Sequence, residues 1–410
     1  MTFALTAIWS AFRRTPLHAA CAVAVFAVLA VVSPGRSALA AAEFTIKAQQ
    51  AILVDAESGA VMFQYKADEL VPPASMSKLM TLAVTFRALK AGTLKLDDEF
   101  LMSEGAWRRG GGPSGTSAMF VPLNTRARIA DLLRGIIIQS GNDAAIAMAE
   151  GIGGSEPAFA EMMTTEARRL GMPKSTFRNA TGLYDPGHLM TMRELSILGR
   201  HIIREYPDYY QMFQEREFNY TETKAPFKRH RFINRNPLIF MNIGADGMKT
   251  GHVRESGYGI VGSAVQDGRR LIVVISGLVT EADRKEEARR LLDWGFKSFG
   301  EFKLFEAGET VGRARVWGGD RMYVPLTGNG VLNVVLPRFP AGQKLKGEIV
   351  YQSPLKAPIT KGDQVATLRV TSSSEASSEV PLYAAEDVPR AGTLRRGLDT
   401  LLIRATSWLP

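Results

Sequence analysis

The chain has 410 residues, 46% of them apolar, and a formal net charge of +9. This length and composition suffice for one large hydrophobic core and a second domain. The charge excess is too small to indicate nucleic-acid binding, although it is compatible with an anionic membrane or an acidic substrate.

The first forty residues have the features of a secretory signal peptide. A pair of arginines precedes an acid-free apolar stretch over 19–32, and small residues suited to cleavage end at Ala40. Removing residues 1–40 lowers the net charge from +9 to +6, because three arginines and no acids are lost, and it removes the only cysteine, Cys21. We therefore expect an exported protein without disulfides, thiol catalysis or cysteine-ligated zinc.

A hairpin and a buried helix open the mature sequence. The apolar segments 51–56 and 60–65 flank a Glu-Ser-Gly turn, which predicts two paired strands. Two prolines then precede an apolar run over 79–86. Because proline is tolerated before a helix but not inside it, we expect a buried helix that begins near Ala74.

Ser75 would lie in the first turn of this helix, with Lys78 three residues later on the same face. A serine hydroxyl needs a base to become a nucleophile, and a lysine amine serves only when it is uncharged. Its pKa must fall by about three units, roughly 4 kcal/mol, which burial and a second nearby cation would supply. The spacing alone is weak evidence, because Ser353 and Lys356 repeat it, and an ordinary helix start with a solvated lysine is the alternative.

Two segments without strand character follow. The glycine-rich run 107–115 matches a dinucleotide-binding pattern, but no strand leads into it and a proline interrupts it, so a flexible loop is expected. Further on, an apolar helix over 129–138 ends at a Ser-Gly-Asn turn. Either this turn only caps the next helix, or it presents Ser140 and Asn142 to a cleft.

The segment around Lys249 combines strand and hairpin signals. The β-rich runs 257–265 and 271–278 are joined by Asp-Gly, which predicts a hairpin. Before them, Lys249 and the Thr-Gly pair after it would place an ammonium, a hydroxyl and a residue without a side chain on a strand that borders a cleft. An ordinary strand start is the alternative. A helix over 281–294 then closes this domain.

The C-terminal part changes character twice. Short alternating segments over 301–388 indicate a small all-β domain. The final segment has an apolar face at helical spacing, made of Leu394, Leu398, Leu401, Leu402, Ala405, Trp408 and Leu409. Its length, about 24 Å at 1.5 Å per residue, and its arginines favour an amphipathic helix on an anionic membrane over a membrane span, with packing on its own domain as the alternative.

Three motifs occur in a fixed order along the exported chain: Ser75-x-x-Lys78, Ser140-x-Asn142 and Lys249-Thr250-Gly251. Together they resemble the signatures of serine penicillin-binding proteins and serine β-lactamases. The surrounding residues are similar to the D-alanyl-D-alanine carboxypeptidases among the low-molecular-mass penicillin-binding proteins, over the segments Ala74 to Thr81, Ile138 to Ala144 and Asp246 to His252.

The resemblance implies an α+β fold. A catalytic domain with an antiparallel sheet flanked by helices and an all-helical part would be followed by a small β domain and a C-terminal amphipathic helix. The chain then divides into a signal peptide (1–40), a catalytic domain (41–300), a β domain (301–388) and a membrane-anchor helix (389–410). No cofactor or metal is implied, and the mature protein is expected at the periplasmic face of the bacterial inner membrane.

Residue roles in the reaction also follow from the resemblance. Ser75 would form the acyl-enzyme with Lys78 as its base. Ser140 would relay a proton toward the leaving group, and Asn142 would hold the substrate amide and Lys78. Backbone N–H groups of Ser75 and His252 would form the oxyanion hole.

Residue roles in binding form a second set. Lys249 and Thr250, next to Gly251, would grip the terminal carboxylate of the substrate, and Arg284 would add a further carboxylate contact. Lys249 would also be the second cation that lowers the pKa of Lys78.

The implied reaction removes the terminal D-alanine from peptidoglycan pentapeptide stems, and β-lactams would acylate the same serine. A D,D-endopeptidase that cuts cross-links and a peptidoglycan-binding scaffold without turnover are the alternatives. A class A β-lactamase is disfavoured, because the region around Glu194 lacks Glu-x-x-Leu-Asn. A Ser-His-Asp hydrolase lacks its G-x-S-x-G elbow and a metal hydrolase its H-E-x-x-H motif.

Overall fold

A computed structural model describes residues 3–5, 44–338, 345–371 and 377–406. Most of the predicted signal peptide, with Cys21, and the end of the predicted anchor, with Trp408, lie outside the described residues.

The helices are α1 (Lys78–Lys90), α2 (Glu104–Gly110), α3 (Ile129–Arg134), α4 (Asn142–Gly153), α5 (Glu156–Arg169), α6 (Met192–Glu205), α7 (Pro207–Tyr210), α8 (Glu281–Ser298) and α9 (Thr393–Thr406). Shorter helical turns lie at Ala74–Ser77, Gly112–Ser114, Gly135–Gln139, Gln211–Gln214 and Pro237–Phe240.

The strands comprise β1 (Phe3–Leu5), β2 (Gln50–Asp55), β3 (Val61–Tyr65), β4 (Glu99–Leu101), β5 (Arg126–Arg128), β6 (Glu217–Thr221), β7 (Arg229–Ile233), β8 (Ala245–Val253), β9 (Gly257–Gln266), β10 (Arg269–Leu278), β11 (Phe299–Phe305), β12 (Thr310–Trp317), β13 (Tyr323–Thr327), β14 (Leu332–Pro337), β15 (Leu345–Val350), β16 (Leu355–Lys356), β17 (Gln364–Thr371) and β18 (Ser377–Ala384). Five of them form an antiparallel sheet in the order β3, β2, β10, β9 and β8.

This sheet is buried on both faces because its central strand is a nearly continuous run of Leu, Ile and Val. In β10, Leu271, Val273 and Ile275 share a hydrophobic cluster with α8. The alternate residues Ile272 and Val274 belong to a larger cluster with the helical part of the domain. Successive side chains of β10 point to opposite faces of the sheet and pack against helices on both faces, as expected for an α+β arrangement.

The predicted hairpin after the Lys-Thr-Gly motif is confirmed. Strands β9 and β10 pair in register from Gln266 and Arg269 outward. The two turn residues, Asp267 and Gly268, have φ values of 50° and 78°. Asp and Gly tolerate this left-handed backbone, which matches the right-handed twist of the paired strands.

The glycine-rich run 107–115 is not the flexible loop that we expected. Its first residues complete α2, and Gly112–Ser114 form a further helical turn. At Gly110, an added Cβ would come within 2.4 Å of the backbone nitrogen of Asp143. The missing side chain therefore lets α2 pack directly on the start of α4, and this packing favours helix over loop.

The C-terminal strands enclose a separate hydrophobic core, which includes Leu326, Val334, Leu368 and Leu382. Strand β18 pairs with β3 at Ser377 and Val61, which makes the two sheets continuous. The domain boundaries themselves stay predictions.

The last helix, α9, contacts the β domain through polar groups. Trp317 Nε1 donates to Thr400 Oγ1 at 3.1 Å, and Gly318 N donates to Asp399 Oδ2 at 3.1 Å. Leu394, in the first turn of α9, is 87% exposed. Within the described ranges, none of the helices combines the length and apolar character needed to cross a bilayer.

Candidate active site

Ser75 lies on a buried 3-10 turn at the entrance to α1. The turn spans Ala74–Ser77 and follows Pro73, close to the predicted helix start. Ala74 has a φ of 50°, which is sparsely populated for a residue with a side chain, and Ser77 Oγ donates to the Ala74 carbonyl at 3.0 Å. Both neighbours of Ser75 are buried whereas Ser75 is partly exposed, so the turn presents its hydroxyl.

Lys78 follows one turn later and is fully buried. Its Nζ lies 2.9 Å from Ser75 Oγ and 2.7 Å from Asn142 Oδ1. A third oxygen, the carbonyl of Thr181, lies 2.5 Å away. The structure therefore excludes the solvated lysine that was the alternative for this motif.

Burial, and next the guanidinium of Arg235, lower the pKa of the Lys78 amine to about 7. The carboxylates of Asp143 and Glu156 act in the opposite direction. At this pKa about half of the Lys78 amines are uncharged at neutral pH, compared with about one in 2,500 for an ordinary lysine.

Arg235 is a cation that lowers the pKa of Lys78 and that the sequence did not indicate. Because Lys78 lowers the pKa of Lys249 and this repulsion is mutual, the role expected of Lys249 toward Lys78 stays a prediction. No carboxylate in the described part of the chain pairs with Lys249, whose Nζ donates to the Thr250 carbonyl at 3.2 Å. Burial, and then Lys78 and Arg235, hold the pKa of Lys249 well below its ordinary value. The guanidinium of Arg235 keeps its proton, because the intrinsic pKa of arginine is much higher than that of lysine.

The carbonyl of Thr181 is delivered by a tightly held loop. Asn179 Oδ1 accepts hydrogen bonds from Thr181 N at 3.1 Å and Gly182 N at 2.7 Å. Gly182 has a φ of 76°, and a Cβ there would lie 2.0 Å from the Ala74 carbonyl oxygen. The loop therefore packs directly on the turn of the nucleophile, which brings a main-chain oxygen to Lys78.

Ser140 and Asn142 flank the bend between the Gly135–Gln139 turn and α4. Ser140 has a left-handed φ of 64°, and its Oγ is buried without a hydrogen-bond partner among the described residues. Asn142 Nδ2 donates to Thr116 Oγ1 at 2.9 Å. This bond leaves the Asn142 oxygen directed at Lys78, so the turn does more than cap the following helix.

The Lys-Thr-Gly motif lies on β8, the last strand in the sheet order. Lys249 and Thr250 are buried, whereas the His252 side chain is exposed. A Cβ at Gly251 would lie 2.9 Å from the Pro73 carbonyl oxygen. The strand therefore runs directly against the segment that leads into the nucleophile turn.

Arg235 and Arg284 line a cavity of about 440 Å³. Both guanidiniums lie close enough to Lys249 to lower its pKa. Arg284 Nε is buried and has no hydrogen-bond partner in the described part of the chain. Its guanidinium lies 5.6 Å from the ring of Tyr258, which stacks on His252 with ring centroids 3.9 Å apart. Glu281 also lines the cavity and pairs with Arg284 Nη2 at 3.0 Å, and Lys285 adds a third cation, so the lining keeps an excess of positive charge that is suited to a small anion.

Sequence reasoning missed Arg235, Thr181 and Thr116. Thr181 acts through its carbonyl, which any residue supplies. Arg235 lies between two asparagines that fix the local backbone, since Asn234 Nδ2 donates to main-chain carbonyls and Asn236 Oδ1 accepts from the following turn. An arginine held between two turn-forming residues is a signal in the sequence, but it points to no specific chemistry.

The site brings together a serine hydroxyl, a base that is half uncharged at neutral pH and a positively charged anion pocket. This set is suited to acyl transfer from a substrate with a free carboxylate. Among the described residues, no group of three His, Cys, Asp or Glu side chains is placed to hold a metal ion.

Two family models match the chain. Residues 37–280 match the model described as D-alanyl-D-alanine carboxypeptidase, and residues 299–390 match the C-terminal domain of penicillin-binding protein 5. The chain is 36% identical over 379 residues to D-alanyl-D-alanine carboxypeptidase DacC of Escherichia coli K12, which covers 90% of this chain and 92% of the relative. It is also 36% identical over 363 residues to DacA of Haemophilus influenzae, which covers 87% of this chain and 89% of the relative.

Solved structures show the same similarity. Penicillin-binding protein 5 from Haemophilus influenzae superposes with a TM-score of 0.70 at 34% identity, and the match covers 85% of this chain and 99% of that one. Penicillin-binding protein D2 from Listeria monocytogenes, solved in an ampicillin-bound form, superposes with a TM-score of 0.53 at 27% identity over 62% of this chain and 99% of that one.

Proposed function

Because this chain belongs to the D-alanyl-D-alanine carboxypeptidase family, we propose that it removes the terminal D-alanine from peptidoglycan pentapeptide stems through an acyl-enzyme on Ser75. The observation that carries the proposal is the 2.9 Å contact between Ser75 Oγ and the buried amine of Lys78. An amine with a pKa of about 7 is matched to accept and return a proton near neutral pH.

In the first step, Lys78 Nζ takes the hydroxyl proton while Ser75 Oγ attacks the carbonyl carbon of the penultimate D-alanine. Backbone N–H groups of Ser75 and His252 stabilise the charge that develops on the carbonyl oxygen. The bond to the terminal D-alanine then breaks, and its nitrogen receives the proton held by Lys78 through Ser140, whose Oγ is unpartnered in the described part of the chain. Water then attacks the resulting ester and gives a proton to Lys78. As the ester bond breaks, Lys78 returns this proton to Ser75 Oγ, and the shortened stem leaves as a carboxylic acid.

The terminal carboxylate of the substrate would bind between β8 and α8. Lys249 and Thr250 are buried on the strand, and Arg284 and Arg235 line the adjoining cavity. These neighbouring cations disfavour one another's charge, so an anion that neutralises them would be strongly attracted. Gly251 has no side chain to keep the substrate backbone away from the strand.

A β-lactam would acylate the same serine, because its strained amide and carboxylate resemble the terminal dipeptide. Penicillin-binding protein D2, which superposes on this chain, was solved in an ampicillin-bound form. We infer that penicillins inhibit this protein through a stable ester at Ser75.

The function is tested with purified mature protein and a pentapeptide that ends in D-Ala-D-Ala. We expect release of D-alanine, and mass spectrometry should locate a penicillin adduct on Ser75. Ser75→Ala should abolish both, whereas Ser353→Ala, in the second Ser-x-x-Lys match, should alter neither. An undiminished rate in Ser75→Ala would remove the mechanism.

Digestion of isolated peptidoglycan separates the two alternatives. Trimmed monomer stems identify the carboxypeptidase, cut cross-links identify the D,D-endopeptidase, and binding without either product identifies a scaffold. These three outcomes differ in product mass.

We further propose that the protein is exported and associates peripherally with the periplasmic face of the inner membrane. The arginine-flanked apolar segment over 19–32 supports export. The amphipathic pattern of α9, with Leu394 exposed and arginines on its polar side, supports attachment to an anionic bilayer. In this arrangement, residues 41–300 form the catalytic domain and residues 301–388 the β domain.

A further inference from the structure

Asp143 is a buried carboxylate beside the site, and no cation pairs with it among the described residues. Its Oδ1 accepts hydrogen bonds from Met119 N at 2.7 Å and Ala144 N at 2.9 Å. Its Oδ2 accepts from Phe120 N at 2.8 Å and Val121 N at 3.3 Å. Since each oxygen accepts from two backbone donors, the group is satisfied only in its ionised form, even though burial raises its pKa.

Three of these donors belong to the loop 116–121, which crosses the start of α4. Phe120 has a φ of 63°, a left-handed conformation that costs free energy for a bulky residue. This conformation turns successive N–H groups toward one point, where the carboxylate meets them. Asp143 therefore compensates for the strained backbone of the loop.

The same loop contacts two groups that act on Lys78. Asn142 donates from Nδ2 to Thr116 Oγ1 at 2.9 Å and from its backbone nitrogen to the Ser117 carbonyl at 2.7 Å. Arg235 Nη1 donates to Ser117 Oγ at 2.6 Å. The loop thus determines which end of the Asn142 amide faces Lys78 and where the Arg235 guanidinium lies.

We infer that Asp143 is a positioning residue for acylation: its carboxylate holds loop 116–121, and the loop turns the Asn142 oxygen toward Lys78. The inference rests on the proposed acyl-enzyme function. Asp143 and loop 116–121 lie outside the three motifs and contact none of the reacting atoms, so they would position those atoms only through Asn142 and Arg235.

The test uses Asp143→Asn in the full mature chain. The carboxamide nitrogen would face two backbone donors, so this side chain would keep only two of its four hydrogen bonds to the backbone. We expect the rate constant for acylation by a fluorescent penicillin, per folded molecule, to fall about 100-fold, as displaced groups in an active site commonly cause. The matched control is Glu166→Gln, which alters a buried carboxylate of α5 that pairs with Arg87 of α1 and with Arg169 of α5. It should lower the melting temperature and leave the acylation rate unchanged.

Thr116→Val removes the acceptor of the Asn142 amide and leaves Asp143 in place. If Asp143 acts through this loop, the double variant should acylate no more slowly than the slower single variant, because both changes break one chain of contacts. Multiplied effects in the double variant would overturn the inference. Should Asp143→Asn fail to fold, an unchanged acylation rate in Thr116→Val would overturn it as well.

The pH profile adds a readout that a purely structural role would not change. The charged and titratable groups around Lys78 are Asp143, Glu156, Arg235, Lys249 and His188. Removing the negative charge of Asp143 lowers the pKa of Lys78, so the acid limb of the acylation rate should move to lower pH in Asp143→Asn. Asp143→Glu keeps the charge but displaces it, so this variant should acylate slowly without a shift of the acid limb.

The same measurements separate this inference from the proposed function. Wild-type protein that does not acylate would refute the proposed function, whereas an active wild type with an unaffected Asp143→Asn would refute this inference alone.

Discussion

At the scale of single residues, the charge of Lys78 depends on Arg235, which lies outside the three motifs. Arg235→Gln removes the cation that disfavours the charged amine, so the pKa of Lys78 should rise. The acid limb of the penicillin acylation rate should then move up by about one pH unit. The control is Arg231→Gln, an exposed arginine of β7 that pairs with Glu217. If the acid limb of the acylation rate lies at the same pH in Arg235→Gln as in the wild type, this account is contradicted.

Lys249 provides a second residue-scale prediction. Its pKa is held well below the ordinary value by burial and by neighbouring cations, and a bound carboxylate would raise it again. Binding of a carboxylate ligand should therefore be accompanied by proton uptake. Calorimetry with Ser75→Ala, in two buffers of different ionisation enthalpy, measures this uptake without acylation. We expect the apparent enthalpy to differ between the buffers, and the difference to vanish in Lys249→Met.

The residues of the three motifs could be predicted, because their side chains act at fixed sequence spacing. The sequence identified Ser75 and Lys78 from helical geometry, and the structure places their reactive atoms in contact. It did not identify Arg235, because 157 positions along the chain separate it from Lys78 and only the fold brings it near. Electrostatic neighbours of this kind leave no local pattern.

At the scale of structural elements, the loop that carries Thr181 should be sensitive to the size of one residue. Gly182→Ala adds a Cβ only 2.0 Å from the Ala74 carbonyl oxygen, so the loop must move away from the nucleophile turn. We expect acylation to slow about 100-fold as Lys78 loses its carbonyl contact. Gly171→Ala is the matched control, because Gly171 has a similar φ of 77° but open space around it. Equal effects in the two variants would show that backbone strain alone is responsible.

The same loop should lose stability in acid. His188 is buried, and burial lowers the pKa of its imidazole to about 4. In the unfolded chain this imidazole takes up a proton near pH 6.5, whereas in the folded chain it does so only near pH 4. The free energy of unfolding therefore falls as the pH drops through this window, by about 3 kcal/mol in total. Between pH 7 and pH 4.5, the melting temperature should fall less in His188→Gln than in the wild type, by about 5 °C. An identical fall would contradict this assignment.

Elements could be predicted where the local pattern and the packing agree. The hairpin of β9 and β10 followed from Asp-Gly between two β-rich runs, and the α+β penicillin-binding-protein fold is confirmed by the matched structures and family models. The helix α2 could not be predicted, because glycines disfavour helix locally. The close packing of Gly110 on the start of α4 and the cap by Ser103, whose Oγ accepts from Ala106 N, stabilise it there.

At the scale of the whole molecule, we expect attachment and catalysis to be separable. The residues proposed to act on the substrate lie between 75 and 284. In the described part of the chain, the side-chain hydrogen bonds that join α9 to the rest of the protein go to Trp317 and Gly318 of the β domain. Deletion of residues 393–410 should therefore release the protein from membranes without changing acylation. Sedimentation with anionic vesicles measures the first effect and penicillin labelling the second. Continued sedimentation of the truncated protein would contradict the proposed attachment.

The membership of the whole chain in its family could be predicted from three short motifs, and it is confirmed over most of its length. The three motifs in this order are compatible with far fewer protein families than any one motif, since each motif alone has an ordinary structural explanation. The join between the sheets could not be predicted. It depends on one pairing between residues 61 and 377, which no local pattern announces.

The pairing of β18 with β3 has a mechanical consequence. From β18 to β8 the sheet contains five steps, and strands are spaced about 4.8 Å apart, so about 24 Å of hydrogen-bonded backbone separates the β domain from the nucleophile's edge. Four of these steps are pairings of longer strands, and the join of β18 to β3 is one residue pair. If the tail attaches the protein to a membrane as proposed, this distance would contribute to the height of the nucleophile above the bilayer.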